Sequence, residues 1–250
     1  MTHKLLCRIQ LALALTLLSV LSFSQTSTPV KYTSTSVYTG IEVGSKGVKM
    51  SIVEIGKNAQ STGAFNILKD TTTNTDFISF TASTFSATLD GLCGLYNKAL
   101  NDYNIPSKHI FTVISSGVKI QAEKDEKMQW IKNLIDSFRI RINEPGRDVE
   151  VVDVLTEAKL SHLGIVPDNR RYTTFLLDIG SGNTKGGFFP DGNTKTFRLF
   201  QLSWGTKSTA NAAEKRLDND NSLANFQKQL DRVLYSAENA EIIYAVNASG

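Results

Sequence analysis

"IEVGSKGVKMSIV" (residues 41–53) and "LDIGSGNTKGGFF" (residues 177–189) share one build, and the fold follows from reading them together. In each, an apolar run delivers a carboxylate, passes through glycine and serine, and returns as a second run. Glu42 matches Asp178, Val43 matches Ile179, Gly44 matches Gly180, Ser45 matches Ser181 and Lys49 matches Lys185. The two acids are 136 residues apart, well beyond the roughly 20–50 residue period of a solenoid. The spacing predicts two related lobes with one glycine-turn hairpin each.

Such a turn suits anion handling. Glycine permits positive φ and close approach, so successive backbone N–H groups converge on a phosphate, with hydroxyls of Ser45, Ser181 and Thr184 as further donors. Gly44, Ser45 and Lys46 in the first turn, and Gly180, Ser181, Gly182, Asn183 and Thr184 in the second, are the candidate phosphate-binding residues. A carboxylate at a strand end repels phosphate directly. It makes sense if Glu42 and Asp178 hold Mg²⁺, or orient an attacking water, because a metal reverses the local sign. The plain alternative is two tight hairpins, in which Gly and Ser are common for conformational reasons alone.

The 250 residues allow one large domain or two small ones. Net charge is +3, and setting aside Lys4 and Arg8 leaves 25 basic against 24 acidic residues, so charge gives no reason to expect nucleic-acid binding. Residues 1–24 have a basic start, an apolar run over residues 11–21 and small residues Ser22 and Ser24, the build of a secretory signal peptide. The chain is therefore expected to be exported, periplasmic or secreted, touching membrane only during export; an uncleaved anchor is the other reading. After cleavage Cys93 is the single cysteine, so no internal disulfide forms and a buried thiol is expected.

Residues 25–36 read as a flexible leader, 37–166 as the first lobe and 167–250 as the second. In the first, strand-like runs "VYTGIEV", "VKMSIVEI" and "AFNILKD" precede a helix from about Thr84 to Pro106, the strand "HIFTVI", a helix with Met128, Ile131, Leu134, Ile135 and Phe138, the strand "VEVVDV" and the helix "LTEAKLSHLGI". The second lobe reads as a three-strand meander, helical stretches over residues 207–217 and 222–237, and a strand "EIIYAV". Strands alternating with helices predict an α/β fold of mixed sheets flanked by helices. An apolar strand running into a glycine-rich loop start is an unusual terminus, so the second lobe is expected to be incomplete.

Other chemistries lack their residues. His109 and His162 have no Cys or His at ligand spacing, no Gly-x-Ser-x-Gly elbow or Walker A pattern occurs, and the second turn leads into a strand and lacks a dinucleotide fingerprint's third glycine.

With these motifs the sequence resembles the two-lobed actin-like ATPase (ribonuclease H-like) superfamily of acetate kinase, actin and Hsp70, and within it the exopolyphosphatase and guanosine pentaphosphate phosphohydrolase (Ppx/GppA) family. "IEVGSKGVKMSIVEI" is similar to that family's first phosphate motif and "LLDIGSGNTKGGFF" to its second. "VDVLTEAKLSHLGIV" resembles its Glu-Ala-Arg-Leu helix, which implies Glu157 as general base, 21 residues before Asp178. "VISSGVK" resembles the segment ending in a phosphate-binding Arg, with Lys119 at that place, and "LSWGTKSTANAAEK" the glycine loop that opens a helix. The resemblance covers residues 38–215 and implies a Mg²⁺-dependent hydrolase of polyphosphate or a related phosphoanhydride. Glu157, Asp178 and Lys119 are then catalytic, and a homodimer is compatible with it.

Three positions depart from that pattern. Glu42 stands for Asp, and a ~1 Å misplacement can cost ~100-fold in rate. Lys119 stands for Arg, losing the bidentate fork. Lys185 stands where the second motif carries an acid. A nucleotide-binding ATPase or sugar kinase, with "AVNASG" as its adenosine loop, and a non-catalytic phosphate- or protein-binding relative therefore stay open. Glu157 itself is either the base or a first-turn acid complementing its own helix dipole.

Overall fold

The computed structural model describes residues 30–180 and 182–249; the expected signal segment, the start of the leader, Ser181 and Gly250 lie outside the described residues. β1 (Thr35–Gly44) and β2 (Gly47–Gly56) form a hairpin, and after the short helix α1 (Ala59–Thr62) β3 (Phe65–Asn74) pairs antiparallel with β2. The first sheet then gains two parallel strands. Helix α2 (Ala82–Asn97) leads to β4 (Ile110–Ile114); α3 (Ser116–Lys124) and α4 (Met128–Arg141) lead to β5 (Glu150–Val151). The strand order is β3-β2-β1-β4-β5.

Period-two alternation positions the site. Ile41 and Val43 of β1 and Val48, Met50 and Ile52 of β2 are fully buried, each stabilising by roughly 1.5–3 kcal/mol. They pack with Leu92 and Tyr96 of α2 and Ile131, Leu134 and Phe138 of α4. Glu42 and Lys49 thereby point to the opposite face. Helix α2 starts where Thr81 and Thr84 cap each other: the Thr84 N–H donates to Thr81 Oγ1 (3.2 Å) and the Thr81 N–H to Thr84 Oγ1 (3.1 Å).

Helix α5 (Val154–Ile165) precedes a second, antiparallel sheet of β6 (Leu176–Ile179), β7 (Thr184–Phe188) and β8 (Arg198–Leu202) in that order. The expected meander is present. α5, on the first-lobe side of the boundary drawn at residue 166, packs on β7, and its fully buried His162 meets the Phe189 ring edge-on at 4.9 Å. Helices α6 (Thr206–Glu214), α7 (Leu223–Val233) and α8 (Asn239–Ser249) follow.

Two expected strands are corrected. Residues 241–246 lie in α8, not in a strand: a short apolar run does not by itself distinguish the two, and the helix seats Ala245 on Phe200 and Leu202 while Ile243 and Tyr244 stay exposed. "VEVVDV" shrinks to Glu150–Val151, because the Asp153 carboxylate accepts the Thr156 N–H (2.6 Å) and starts α5. Among the described residues no helix is long and apolar enough to cross a membrane. Cys93 is buried and free.

The core-facing series of β2 ends on an acid. Glu54 is fully buried, and its carboxylate accepts the backbone N–H groups of Lys31 (2.8 Å) and Tyr32 (2.7 Å) and the Asn66 amide (3.0 Å). Burial pushes its carboxyl up, but these bonds outweigh that and hold it below the ordinary value. A depressed folded-state pKa gives stability that is present above the unfolded carboxyl value and lost as pH falls through the folded one. Glu54→Gln is therefore expected to melt below wild type at pH 7, with the difference shrinking toward pH 3 in thermal scans.

Candidate active site

The two hairpins turn out to be equivalent in register. Glu42 lies directly across from Lys49, and Asp178 directly across from Lys185, so each presents an acid and a lysine side by side on one face. Both pairs line a single cleft of ≈ 1110 Å³, together with Glu157 and the turn residues Gly44, Ser45, Lys46, Gly180, Gly182 and Asn183.

Each turn is tied to the start of a helix. On the first side the Ser115 N–H donates to Val43 O (3.0 Å), just ahead of α3. On the second, the Thr206 N–H donates to Gly180 O (3.0 Å), and Ser208 Oγ accepts the Gly205 N–H (2.7 Å) and donates to Gly182 O (3.1 Å). Among the described residues the glycines at positive φ are Gly63, Gly187 and Gly192, so Gly44, Gly47 and Gly180 do not use the positive φ that glycine permits.

Glu157 is held at both oxygens. Its Oε2 accepts the Ser116 N–H (2.9 Å) and its Oε1 lies 3.2 Å from Lys185 Nζ. Its charge thus complements the N-terminus of α3, a helix other than its own. The Lys185 ammonium also lies 3.0 Å from Asp178 Oδ2, with its side chain 8% exposed. Burial alone would lower Lys185; Glu157 and Asp178 more than reverse this and hold it above the ordinary lysine value. Glu42 is also raised, but here burial is the main cause. Burial pushes its carboxyl up, Lys49 and Lys185 pull it down, Glu157 and Asp178 push it up again, and the balance stays above the ordinary value.

Two expected site residues stand outside the cleft lining. Lys119 is on α3 and pairs with Glu123 (3.0 Å) one helical turn on. The Thr184 hydroxyl donates to Trp204 O (2.8 Å), which anchors β7 to the loop before α6. Sequence reasoning passed over Lys207 and Ser208 as cleft groups, for which the Gly-Thr-Lys-Ser run opening a helix was the available signal, and the Ser116 N–H as the donor that holds Glu157.

The Mg²⁺ expectation meets a different donor set. A divalent ion at Glu42 and Asp178 needs several converging oxygens. Among the described residues no three His, Cys, Asp or Glu side chains are so arranged, and the place between Asp178 and Glu157 is taken by an ammonium group. The residues present do not fit a resident divalent cation.

No family model and no curated protein matches the chain. Solved structures do. A Ppx/GppA family member from Aquifex aeolicus aligns with a TM-score of 0.52 at 15% identity, over 82% of this chain and 61% of that one. An exopolyphosphatase-like protein aligns with a TM-score of 0.55 at 16% identity, over 85% and 62%. The type II variant of the Aquifex aeolicus Ppx/GppA phosphatase gives 0.50 at 16%, over 79% and 61%. At this identity the likeness is one of fold. The chain has the fold of these Ppx/GppA structures, as the resemblance implied, and spans about three fifths of their length.

Proposed function

We propose that the cleft binds and hydrolyses a phosphoanhydride, polyphosphate or a compound of that class, with Glu157 as general base. The observation that carries this is the convergence of two equivalent acid-and-lysine hairpins and Glu157 on one cleft. The neighbours in fold bear the same chemistry in their names: an exopolyphosphatase-like protein and a Ppx/GppA phosphatase.

In this reaction the oxygen of water bonds to the terminal phosphorus, the anhydride P–O bond breaks, and the water proton passes to the Glu157 carboxylate as the shortened phosphate chain leaves. Phosphoryl transfer asks for positioning and charge compensation more than covalent help. Lys49, Lys207 and the Ser45 hydroxyl line the cleft to supply both. Glu157 remains able to accept a proton while held, since each carboxylate oxygen has two lone pairs.

A second reading, binding without turnover, is favoured by the engagement of both Glu157 oxygens. The ATPase or sugar-kinase reading loses its adenosine loop, because residues 245–249 are helical. Export is proposed on the basic start and apolar run of residues 1–24, and N-terminal sequencing of the secreted chain is expected to begin at Gln25; an intact Met1 removes that proposal.

Phosphate release from polyphosphate, guanosine pentaphosphate and ATP, each with Mg²⁺ and with EDTA, tests the activity. Glu157→Gln and Asp178→Asn are each expected to lower polyphosphate hydrolysis by about 100-fold. Unchanged release in both ends the hydrolase reading. No wild-type release, with inorganic tripolyphosphate still bound, establishes the second, and turnover of ATP alone the third.

A further inference from the structure

We propose that the ammonium group of Lys185 is the resident counter-cation of the cleft, standing where a divalent metal ion would stand, so that a phosphoanhydride binds here without a metal. The inference rests on the reading of the cleft as a phosphoanhydride site and adds how the charge of that ligand is met.

Three observations support it. Lys185 Nζ bridges carboxylates from separate elements, Asp178 of β6 at 3.0 Å and Glu157 of α5 at 3.2 Å, which is the bridging role a cation plays between acidic ligands. Its place is fixed by the ladder, because the β6–β7 register sets Lys185 directly opposite Asp178 on the cleft face. Its side chain is 8% exposed, and a buried ammonium persists only when paired in this way.

The charges along the cleft agree. Lys46, Lys49, Lys185 and Lys207 balance Glu42, Glu157, Asp178 and Glu241. A metal cage without its metal would be an acidic hole that repels phosphate; this cleft is neutral as built, and the one ammonium hydrogen of Lys185 not aimed at a carboxylate is a donor for a phosphate oxygen.

The test is calorimetric titration with inorganic tripolyphosphate, in EDTA and in excess Mg²⁺, of wild type, Lys185→Gln and Lys185→Arg, with Mg²⁺ alone as a separate titrant. Wild type is expected to bind tripolyphosphate in EDTA and to show no heat with Mg²⁺ alone. Lys185→Gln is expected to bind about tenfold or more weakly in EDTA, to recover in Mg²⁺, and to bind Mg²⁺ itself; Lys185→Arg keeps metal-free binding. Wild-type binding that appears only with Mg²⁺ overturns the proposal while leaving the phosphoanhydride cleft standing. Lys185→Gln binding like wild type in EDTA overturns it in the same way. No wild-type binding under either condition removes the cleft reading and this inference together. Should Lys185→Gln fail to fold, wild type and Lys185→Arg with and without Mg²⁺ still decide the matter.

Discussion

Replacing Gly187 by alanine is expected to cost more than about 4 kcal/mol and to leave the second sheet unformed. Gly187 sits inside β7 at φ +141°, a conformation that side-chain-bearing residues rarely adopt. An added Cβ would lie 1.9 Å from Arg198 O and 2.9 Å from Phe197 Cε1. Phe197 Cε1 is a side-chain atom, but Arg198 O is backbone of β8, so the closer clash cannot be relieved by turning a side chain. The strands would have to part, and with them the ladder that places Lys185 opposite Asp178. Thermal melting followed by near-ultraviolet circular dichroism checks this, with Gly94→Ala as control. Gly94 is exposed in α2 with no atom near its would-be Cβ, so alanine there is expected to leave stability unchanged or raise it by roughly 0.5–1 kcal/mol. A Gly187→Ala protein melting within about 1 kcal/mol of wild type would show that the strands do not approach this closely.

Lys185→Met is expected to destabilise the protein by about 3 kcal/mol at pH 7, the low end for breaking a buried ion pair. The low end applies because Asp178 is 44% exposed and water screens it, whereas Glu157 is 21% exposed. Without the ammonium, Glu42, Glu157 and Asp178 face one another with Lys49 as the nearest compensating charge in the Glu42 environment. Loss of the Lys185 charge, which lowers the Glu42 value against Glu157 and Asp178, then favours protonated Glu42, so the variant should regain stability as pH falls from 7 toward 5. Wild type behaves differently. Lys185 is held above the ordinary lysine value, so its contribution is fully present below the unfolded lysine pKa and is lost only as pH rises through the folded value, in alkali. Melting temperatures of both proteins between pH 5 and pH 10 test the pattern; parallel curves would mean that Lys185 is not the charge that holds this cluster.

The hairpins were legible because strands alternate. Ile41 and Val43 on one side of β1, and Val48, Met50 and Ile52 on one side of β2, force Glu42 and Lys49 onto the other; in β6 the flanking Leu177 and Ile179 are exposed, and it is the β6–β7 register that sets Asp178 opposite Lys185. The closure of the site was not legible. The bond from Ser116 to Glu157 joins residues 41 apart in the chain, and no local pattern announces a contact made by docking one helix against another. Lys185 looked like a departure from a family motif, and only three-dimensional placement turns it into a bridge. Lys119 was singled out because its neighbours in sequence resemble a phosphate-binding segment; in the structure it pairs with Glu123. The run at residues 241–246 has neither a clear two-residue nor a 3.6-residue period, so packing on Phe200 and Leu202 decided it.

The bond between Glu157 and Ser116 has a mechanical corollary. Glu157 rides on a helix seated against β7, while Ser116 heads a helix of the other half of the molecule. A swing that widens the gap between these two helices stretches this contact. If Glu157 is the general base proposed above, gaping and unfastening of that base are a single event, and a substitution that loosens the bond is expected to speed product escape and slow hydrolysis together.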